Sequence, residues 1–194
     1  MSFFSQKQLQ EYCQKLKNGA VIAFPTDTVW GIGCLPENKI ACQKIYSIKQ
    51  RDGKKPLILL GENIDDFSPY IQDFPPIAKD LAKKYWAGAL TIIVKKSPLV
   101  ADYVSSGLDT VGLRIPNHPV LLELLKNTGP LATTSANLSG EAAAMNLKQT
   151  KDYVGDKVDC IIDDFTIASQ GIESTVIIIE NNKYKVLRQG AITL

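Results

Sequence analysis

Hydrophobic residues follow two different spacings along the chain, and these spacings predict both helices and strands. Apolar residues three or four positions apart, which share one face of a helix, predict helices over 5–18, 37–50, 75–86, 119–126 and 147–154. Short apolar runs bounded by turn residues predict strands over 20–24, 56–60, 89–94, 110–115, 131–134 and 160–163, and a closing hairpin over 175–188. Because strands and helices alternate through most of the chain, we expect the α/β class with a mixed sheet.

The stretch 20–34, A-V-I-A-F-P-T-D-T-V-W-G-I-G-C, combines a predicted buried strand with a polar segment at its carboxyl end. Pro25 cannot donate a hydrogen bond to a sheet, so strand pairing is expected to stop there. Segment 26–28 then presents two hydroxyls and a carboxylate, and Gly31 and Gly33 allow the backbone to turn or to approach a ligand closely. The pattern suits a small polar ligand, and it equally suits an ordinary turn, since Thr, Asp and Gly are common turn residues.

Composition and charge are those of an ordinary globular protein. We expect a single domain spanning 1–194, because 194 residues with 45% hydrophobic and 22% charged side chains can bury a full core. The formal net charge of +2 does not by itself indicate nucleic acid or membrane binding. No apolar run is long enough to cross a bilayer and 1–19 lacks the apolar region of a signal peptide, so we expect a cytoplasmic protein. The four cysteines lack C-x-x-C spacing, which predicts reduced thiols and no metal site.

Four cations, Lys49, Arg51, Lys54 and Lys55, lie within seven residues between a predicted helix and a predicted strand. Cations at the end of a helix are favoured by its dipole, so a solvated helix end explains them. The same cluster has what a triphosphate requires, because Arg grips phosphate oxygens with two N–H groups and Lys acts as a point charge. Both interpretations stay open on this segment alone.

Two further groups of polar residues occur in or after predicted strands. Segment 133–140, T-T-S-A-N-L-S-G, holds four hydroxyls and an amide, and with its backbone N–H groups it suits either an anion-binding nest or a polar loop that caps a helix. Arg114 lies in V-G-L-R-I-P, where alternation puts it on the same strand face as Gly112, toward either solvent or a cleft. Arg188, late in the closing hairpin, has the same two interpretations.

Several familiar catalytic motifs are absent from the sequence. Neither the G-x-G-x-x-G nor the G-x-x-x-x-G-K-[ST] phosphate loop occurs, and G-x-S-x-G is missing too. The single histidine, His118, stands at the start of a predicted helix, where we expect a capping or surface role. The remaining cations, hydroxyls and amides include no evident nucleophile, which favours catalysis by positioning and charge stabilisation.

Seven segments in a fixed order resemble the YrdC-like threonylcarbamoyl-adenylate synthases. They are P-T-D-T-V-W-G-I-G-C (25–34), K-Q-R-x-x-K-K-P-L (49–57), W-x-G-x-L-T (86–91), L-D-T-V-G-L-R-I-P (108–116), T-S-A-N-L-S-G (134–140), G-I-E-S-T-V (171–176) and R-Q-G (188–190). They extend across nearly the whole chain, so the resemblance is specific although no single segment is decisive. It implies a YrdC-like fold in its short single-domain form: an open twisted mixed sheet flanked by helices, with a concave basic cleft.

The resemblance also implies a reaction and its partners. L-threonine, bicarbonate or CO2, and ATP would give threonylcarbamoyl-AMP and pyrophosphate, a nucleotidyl transfer that supplies the threonylcarbamoyl modification of adenosine 37 in tRNA. Mg²⁺ would accompany ATP, held mainly by phosphate oxygens and water, since the sequence has no dedicated carboxylate cage. The expected partner is a downstream tRNA threonylcarbamoyl-transferase complex, and direct RNA binding, if any, would be weak.

Roles for individual positions follow from the same resemblance. Lys49 and Arg51 are the expected catalytic cations that face the ATP phosphates. Thr28 and Arg114 would bind threonine, with Ser174 near its polar end. The expected ATP-binding residues are Arg51, Lys55, Thr110, Ser135, Asn137 and Arg188, and Thr91, Thr134 and Ser139 are further candidates for the cleft lining.

Four positions depart from the family pattern. Ala87 and Ala89 replace the prolines of a W-P-G-P segment, which makes that loop less rigid while removing no functional group. Leu60 stands where some longer relatives have a ligand-contacting histidine. Gln189 replaces the proline of an R-P-G ending.

Two other functions are consistent with parts of the sequence. A concave basic surface would suit RNA phosphates, but the chain has 8% aromatic residues and no interleaved basic–aromatic stripe for base stacking. A carbamoyl-transfer enzyme acting on another acceptor would be distinguished by its use of carbamoyl phosphate. The synthase is the prediction, with the RNA-binding module as the alternative.

Overall fold

The computed structural model of the protein describes residues 2–50, 55–163 and 168–194. The helices within these ranges are α1 (Gln6–Lys17), α2 (Lys39–Ile48), α3 (Pro76–Tyr85), α4 (Asp102–Ser105), α5 (Pro119–Thr128) and α6 (Leu147–Val154), with a 3₁₀-helix over Asp65–Tyr70. The strands are β1 (Ile22–Phe24), β2 (Gly31–Cys34), β3 (Ile58–Leu60), β4 (Leu90–Lys95), β5 (Thr110–Arg114), β6 (Leu131–Ser135), β7 (Cys160–Ile161), β8 (Thr175–Glu180) and β9 (Lys183–Arg188). Each helix and strand predicted from the apolar spacing is present. The sequence did not predict α4, β2 or the 3₁₀-helix.

The nine strands described form one mixed sheet in the order β7-β1-β2-β6-β3-β5-β4-β8-β9. The pairs β1/β7, β3/β5 and β4/β8 are parallel, and the other neighbours are antiparallel. Helices cover both faces of the sheet, so the predicted α/β class with a mixed sheet flanked by helices is confirmed. The basic character of the concave surface stays a prediction.

Strand β1 is buried on both faces, which explains why its sequence is a continuous apolar run. Ile22 and Phe24 pack with side chains of α1 and α5 on one face of the sheet. Val21 and Ala23 belong to the larger cluster on the other face, with α2, α3, α4 and α6. The sheet is therefore the middle of three layers, as its alternating side chains require.

Strand β2 decides between the two expectations for Gly31 and Gly33, because the turn is wrong while Gly31 lines the cavity described below. Both glycines are paired, with Gly31 opposite Phe24 and Gly33 opposite Ile22. A Cβ atom at Gly33 would lie 2.8 Å from Thr133 Cγ2 and 3.1 Å from the Phe24 ring. The glycines therefore leave room for the Phe24 ring across the ladder, and the turn itself is made by the residues between β1 and β2.

The start of α5 corrects the expectation for His118. This residue occupies the N-cap position of α5, but it is completely buried, so a surface role is wrong. The reason is that the chain passes from β5, inside the sheet, through a short connection into a helix packed on that sheet. None of the helices in the described ranges is long and apolar enough to span a bilayer.

The four cysteines are free thiols, as predicted. Cys34 on β2 and Cys42 on α2 are buried with their sulfur atoms 3.5 Å apart. The hydrogen bond between them and their burial both raise the pKa of the Cys34 thiol, which keeps it in the neutral, unreactive form.

Candidate active site

A cavity of about 370 Å³ opens on the sheet face that carries α1 and α5. Phe24 and Leu60 belong both to the apolar cluster under those helices and to the cavity floor. The predicted site residues that line the cavity are Thr28, Lys49, Lys55, Thr91, Arg114, Thr134, Ser135, Asn137, Ser139, Ser174 and Arg188. Segments far apart in the sequence therefore meet at one site, as the family resemblance implied.

Two predicted residues are not placed in the cavity wall. Thr110 is the first residue of β5, paired with Lys95, and it lies outside the cavity lining. It is four residues before Arg114, and at about 3.3 Å per residue this puts it about 13 Å along the strand. The prediction for Arg51 concerns a position outside the described residues. ATP binding by either residue stays a prediction.

Arg114, the last residue of β5, is 4% exposed and held by three hydrogen bonds. Its Nε donates to Gly88 O at 2.9 Å, Nη1 to Thr28 Oγ1 at 2.8 Å, and Nη2 to Asp27 Oδ1 at 2.6 Å. A guanidinium has five N–H groups, so one on each Nη remains without an acceptor among the described residues. The carboxylate of a ligand in the cavity can accept charge-assisted hydrogen bonds from such donors.

The electrostatic surroundings of Arg114 act in opposite directions. Burial lowers the pKa of Arg114 from its ordinary value, and the charge of Arg188 lowers it further. The charge and hydrogen bond of Asp27 act against both effects. Arg114 is therefore a buried cation that depends on Asp27 as its counter-ion.

The loop before β4 also positions Arg114, although two alanines replace the family's prolines there. Gly88 N–H donates to Ile115 O at 2.8 Å, and Gly88 O accepts from Arg114 Nε. Both bonds attach the loop to the end of β5. The loop with Ala87 and Ala89 therefore still supports the guanidinium.

The hydroxyl of Thr28 has a fixed direction. Thr26 Oγ1 accepts from the N–H groups of Thr28 (3.1 Å) and Val29 (3.3 Å), and donates its single proton to Val29 O at 2.7 Å. In the 3.0 Å contact between the two threonine hydroxyls, Thr28 must therefore be the donor. Since Thr28 Oγ1 also accepts from Arg114 and the residue is fully buried, its clearest task here is to aim the guanidinium.

Three residues just before β8 donate hydrogen bonds to the backbone carbonyl groups of loop 26–28. Ser169 Oγ donates to Thr26 O at 2.7 Å. The N–H of Gln170 donates to Asp27 O at 3.0 Å, and that of Gly171 to Thr28 O at 2.8 Å. The backbone of this loop is therefore fixed by the same segment that leads to Ser174.

Lys49, at the C-terminal end of α2, is buried against the loop after β6. Its Nζ donates to Ser135 O at 2.6 Å, Asn137 O at 2.9 Å and Asn137 Oδ1 at 2.7 Å. The Ser139 N–H returns a bond to Lys49 O at 3.0 Å. An ammonium group has three N–H donors, and these oxygens suffice to accept all three. Lys49 therefore orders this loop and also brings a positive charge to it.

The backbone of this loop differs from the predicted anion-binding nest. The N–H of Ala136 donates to Trp30 O at 2.8 Å, that of Asn137 to Ser135 O at 3.1 Å, and that of Ser139 to Lys49 O. These three groups are used inside the protein and are not directed at a ligand. The interpretation as a nest is wrong at these positions, and the loop instead offers its hydroxyls to the cavity.

The opposite wall is built by Ser174, Thr91 and Arg188. Thr91 Oγ1 and Ser174 Oγ lie 2.8 Å apart, and both residues are buried. Arg188 donates to Ser174 O from Nη2 at 2.8 Å and from Nε at 3.2 Å. Its Nη1 lies 2.6 Å from Glu173 Oε2, with both side chains about 40% exposed. Arg188 therefore reaches the cavity with a carboxylate partner in contact with water.

Several residues of the cavity were not among the predicted site residues. The polar ones are Glu141 and Glu173, together with Thr26 and Thr133 from the candidate segments 26–28 and 133–140, and the large apolar ones are Phe24, Val29, Trp30, Ile58, Leu60 and Val176. Ile58 and Leu60 alternate in β3, so their shared face was readable from the sequence. The ligand-contacting histidine of longer relatives at the position of Leu60 was the signal that this face lines a cavity.

Comparison with known families identifies the family of this chain. The family model Sua5/YciO/YrdC, described as "Telomere recombination", matches residues 14–190. The chain belongs to the Sua5/YciO/YrdC family.

Named relatives and a solved structure agree with this assignment. A threonylcarbamoyl-AMP synthase of Pseudomonas fluorescens, strain Pf-5, is 37% identical over 158 residues, which is 81% of this chain and 85% of that protein. A threonylcarbamoyl-AMP synthase of Bacillus subtilis is 35% identical over 188 residues, 96% of this chain and 54% of that protein. P. abyssi Sua5 complexed with L-threonine superposes with a TM-score of 0.91 at 31% identity, covering 96% of this chain and 55% of that one. The chain thus spans about half the length of the two longer proteins.

Proposed function

We propose that this protein is a threonylcarbamoyl-AMP synthase, a nucleotidyltransferase that condenses L-threonine, bicarbonate or CO2, and ATP. The names of the relatives support this proposal, as does the L-threonine complex of P. abyssi Sua5. The observation that carries it is Arg114, a buried guanidinium in the cavity wall that keeps N–H donors for a carboxylate. Lys55 and Arg188 line the same cavity and suit the phosphates of ATP.

The reaction needs no protein nucleophile. The threonine nitrogen forms a bond to the carbon of CO2 and loses a proton, giving a carbamate. A carbamate oxygen then attacks the α-phosphorus, the bond from that phosphorus to the bridging oxygen breaks, and pyrophosphate leaves. Both reactants are anions, so the cavity must offset their repulsion while holding them in line, and its cations and hydroxyls suit that task.

Mg²⁺ enters this proposal with ATP, as part of the substrate. Among the residues that the structure describes, no three His, Cys, Asp or Glu side chains come together as metal ligands. A cavity with this composition suits a Mg²⁺ ion that is held by phosphate oxygens and water. We further propose a cytoplasmic enzyme whose product is used by a tRNA threonylcarbamoyl-transferase complex to modify adenosine 37.

The test is pyrophosphate release from Mg-ATP and bicarbonate, with L-threonine, with L-serine, or with no amino acid. We expect release that depends on threonine and is much slower with serine. Carbamoyl phosphate in place of bicarbonate tests the carbamoyl-transfer alternative. A folded protein that releases no pyrophosphate in response to threonine would contradict the proposal, and salt-dependent RNA binding in that protein would favour the RNA-binding module.

A further inference from the structure

Each of the two arginines that line the cavity has its own carboxylate partner, and the two pairs differ in burial. Arg114 Nη2 lies 2.6 Å from Asp27 Oδ1, with side chains 5% and 8% exposed. Arg188 Nη1 lies 2.6 Å from Glu173 Oε2, with side chains 43% and 40% exposed. The distances are equal, so solvent access is what distinguishes the pairs.

Burial decides which carboxylate a ligand is able to replace. An exposed ion pair is weak and screened by water, so a phosphate can take the place of Glu173 on Arg188. Asp27 lies outside the cavity lining to which Arg114 belongs, and its Oδ1 also accepts the Asn117 N–H at 3.1 Å. A ligand in the cavity therefore contacts Arg114 and not Asp27. Arg114 therefore keeps Asp27 when the cavity is filled.

The charge of the Arg114–Asp27 pair sets what it attracts. The pair has no net charge, yet Arg114 lines the cavity and keeps two N–H groups for a further acceptor. A zwitterionic amino acid has no net charge either, and its carboxylate satisfies both donors. A phosphate dianion gains no comparable attraction, because the repulsion from Asp27 offsets the attraction of Arg114.

Without Asp27 this end of the cavity would have a different character. Arg188 is near enough for its charge to contribute to the lowered pKa of Arg114. Arg114 and Arg188 would then be two neighbouring guanidiniums with Glu173 as their one carboxylate. Proteins use such arginine pairs to bind phosphate. The buried carboxylate of Asp27 therefore makes the net charge around Arg114 different from the net charge around Arg188.

We propose that Asp27 is a positioning and specificity-determining residue: it fixes Arg114 and cancels its charge, so that this end of the cavity accepts the carboxylate of an amino acid and excludes phosphate. The triphosphate is thereby left to the other cations of the cavity lining, which include Lys55 and Arg188. This inference rests on the proposed function, since it assumes that an amino acid and a nucleotide share the cavity.

The test is a calorimetric titration of threonine into wild-type and Asp27→Asn protein, each saturated with Mg²⁺ and α,β-methylene ATP to fill the nucleotide half. Asparagine retains an oxygen for the hydrogen bonds from Arg114 and Asn117 while removing the charge. In wild type we expect about 20 mM inorganic phosphate to change the threonine Kd by less than about twofold. In Asp27→Asn protein the same phosphate should raise the apparent Kd by at least about fivefold, as a competing ligand does.

Two further variants separate charge from geometry. Asp27→Glu keeps the charge, so threonine binding weakens from the altered geometry while phosphate has no effect on it. Asp159→Asn is the matched control, because Asp159 also bridges a cation and a backbone N–H, but its cation Lys44 lies outside the cavity lining. It should match wild type in both titrations.

The outcomes distinguish this inference from the proposed function. Wild-type protein that binds no threonine overturns the proposed function and not the role of Asp27. Wild-type binding that phosphate weakens, or folded Asp27→Asn protein that ignores phosphate, overturns the role of Asp27. If Asp27→Asn protein does not fold, Asp27→Ser gives the same comparison with a neutral hydroxyl as acceptor.

Discussion

Lys49 Nζ lies 2.7 Å from Asn137 Oδ1, and this contact joins the end of α2 to the loop after β6 across 88 residues of sequence. Both side chains are buried, at 4% and 7% exposed. Asn137 Nδ2 in turn donates to Glu141 O at 2.6 Å, so the amide is held at both ends. Two of the sequence motifs therefore form one hydrogen-bonded unit at the cavity wall.

Lys49→Ala is expected to loosen this loop and to slow the reaction. Removing the ammonium leaves the oxygens of Ser135 and Asn137 without their donor, which should lower the free energy of unfolding by about 1–3 kcal/mol. Pyrophosphate release should fall by about a hundredfold, since both the loop and a cation are lost. Urea unfolding and pyrophosphate assays measure the two effects.

Lys39→Ala is the matched control for this variant, because Lys39 begins the same helix and is exposed. It should leave both quantities unchanged. Full activity in a Lys49→Ala protein would show that the loop is ordered without the lysine.

Arg114→Lys is expected to weaken threonine binding while sparing ATP. Lysine keeps the charge next to Asp27 but loses the planar set of N–H donors that bonds Gly88 and Thr28 and leaves two for a ligand. The threonine KM should rise by at least about tenfold, with the ATP KM within about twofold of wild type. Steady-state kinetics with each substrate varied in turn measures this. Equal rises in both KM values would mean that Arg114 supports the whole cavity and does not act on one substrate.

Glu173→Gln is expected to tighten ATP binding slightly. The carboxylate of Glu173 contacts Arg188 and must give way to phosphate under the proposed function. Because the pair is half-exposed, the gain should be about 1 kcal/mol or less, which is up to about fivefold in the ATP Kd, and it should shrink at high salt. Calorimetry with α,β-methylene ATP at two salt concentrations tests this. Weaker ATP binding would instead show that Glu173 positions Arg188.

Asp159 is expected to make stability depend on pH. Partial burial would by itself raise the pKa of Asp159, but the hydrogen bonds from Lys44 and from the Val21 N–H, together with the Lys44 charge, hold it below its ordinary value. A lowered pKa in the folded state means that the carboxylate stabilises the fold above the unfolded pKa of about 4, and that this contribution is lost as pH falls through the folded value.

Comparing wild type with Asp159→Asn isolates that contribution. At pH 7 the variant should be less stable by about 1 kcal/mol or less, because the pair is partly exposed. The difference should vanish well below pH 4, where wild-type Asp159 is protonated as well. Urea unfolding at both pH values measures it, and a difference that persists in acid would assign the effect to packing.

The sequence by itself determined most of the secondary structure and the family. The Ser5–Gln8 capping box starts α1 as a local rule requires, with Gln8 N–H donating to Ser5 Oγ at 3.2 Å. Apolar spacing located α6 at Leu147–Val154 because side-chain periodicity is also a local property. The motif order likewise identified eleven of the described residues that line the cavity.

Only the tertiary structure decided what those side chains do. The sequence shows Asp27 only as a carboxylate in a predicted turn, because its hydrogen bond from Arg114 joins residues 87 positions apart. Gly31 reads as a turn residue until β1 and β2 are paired, and the N–H of Ala136 is a free donor until Trp30 lies opposite it. The physical reason is that hydrogen-bond partners and buried charges depend on which strands become neighbours. That order is set by packing of the whole sheet and has no signature in any short stretch of the chain.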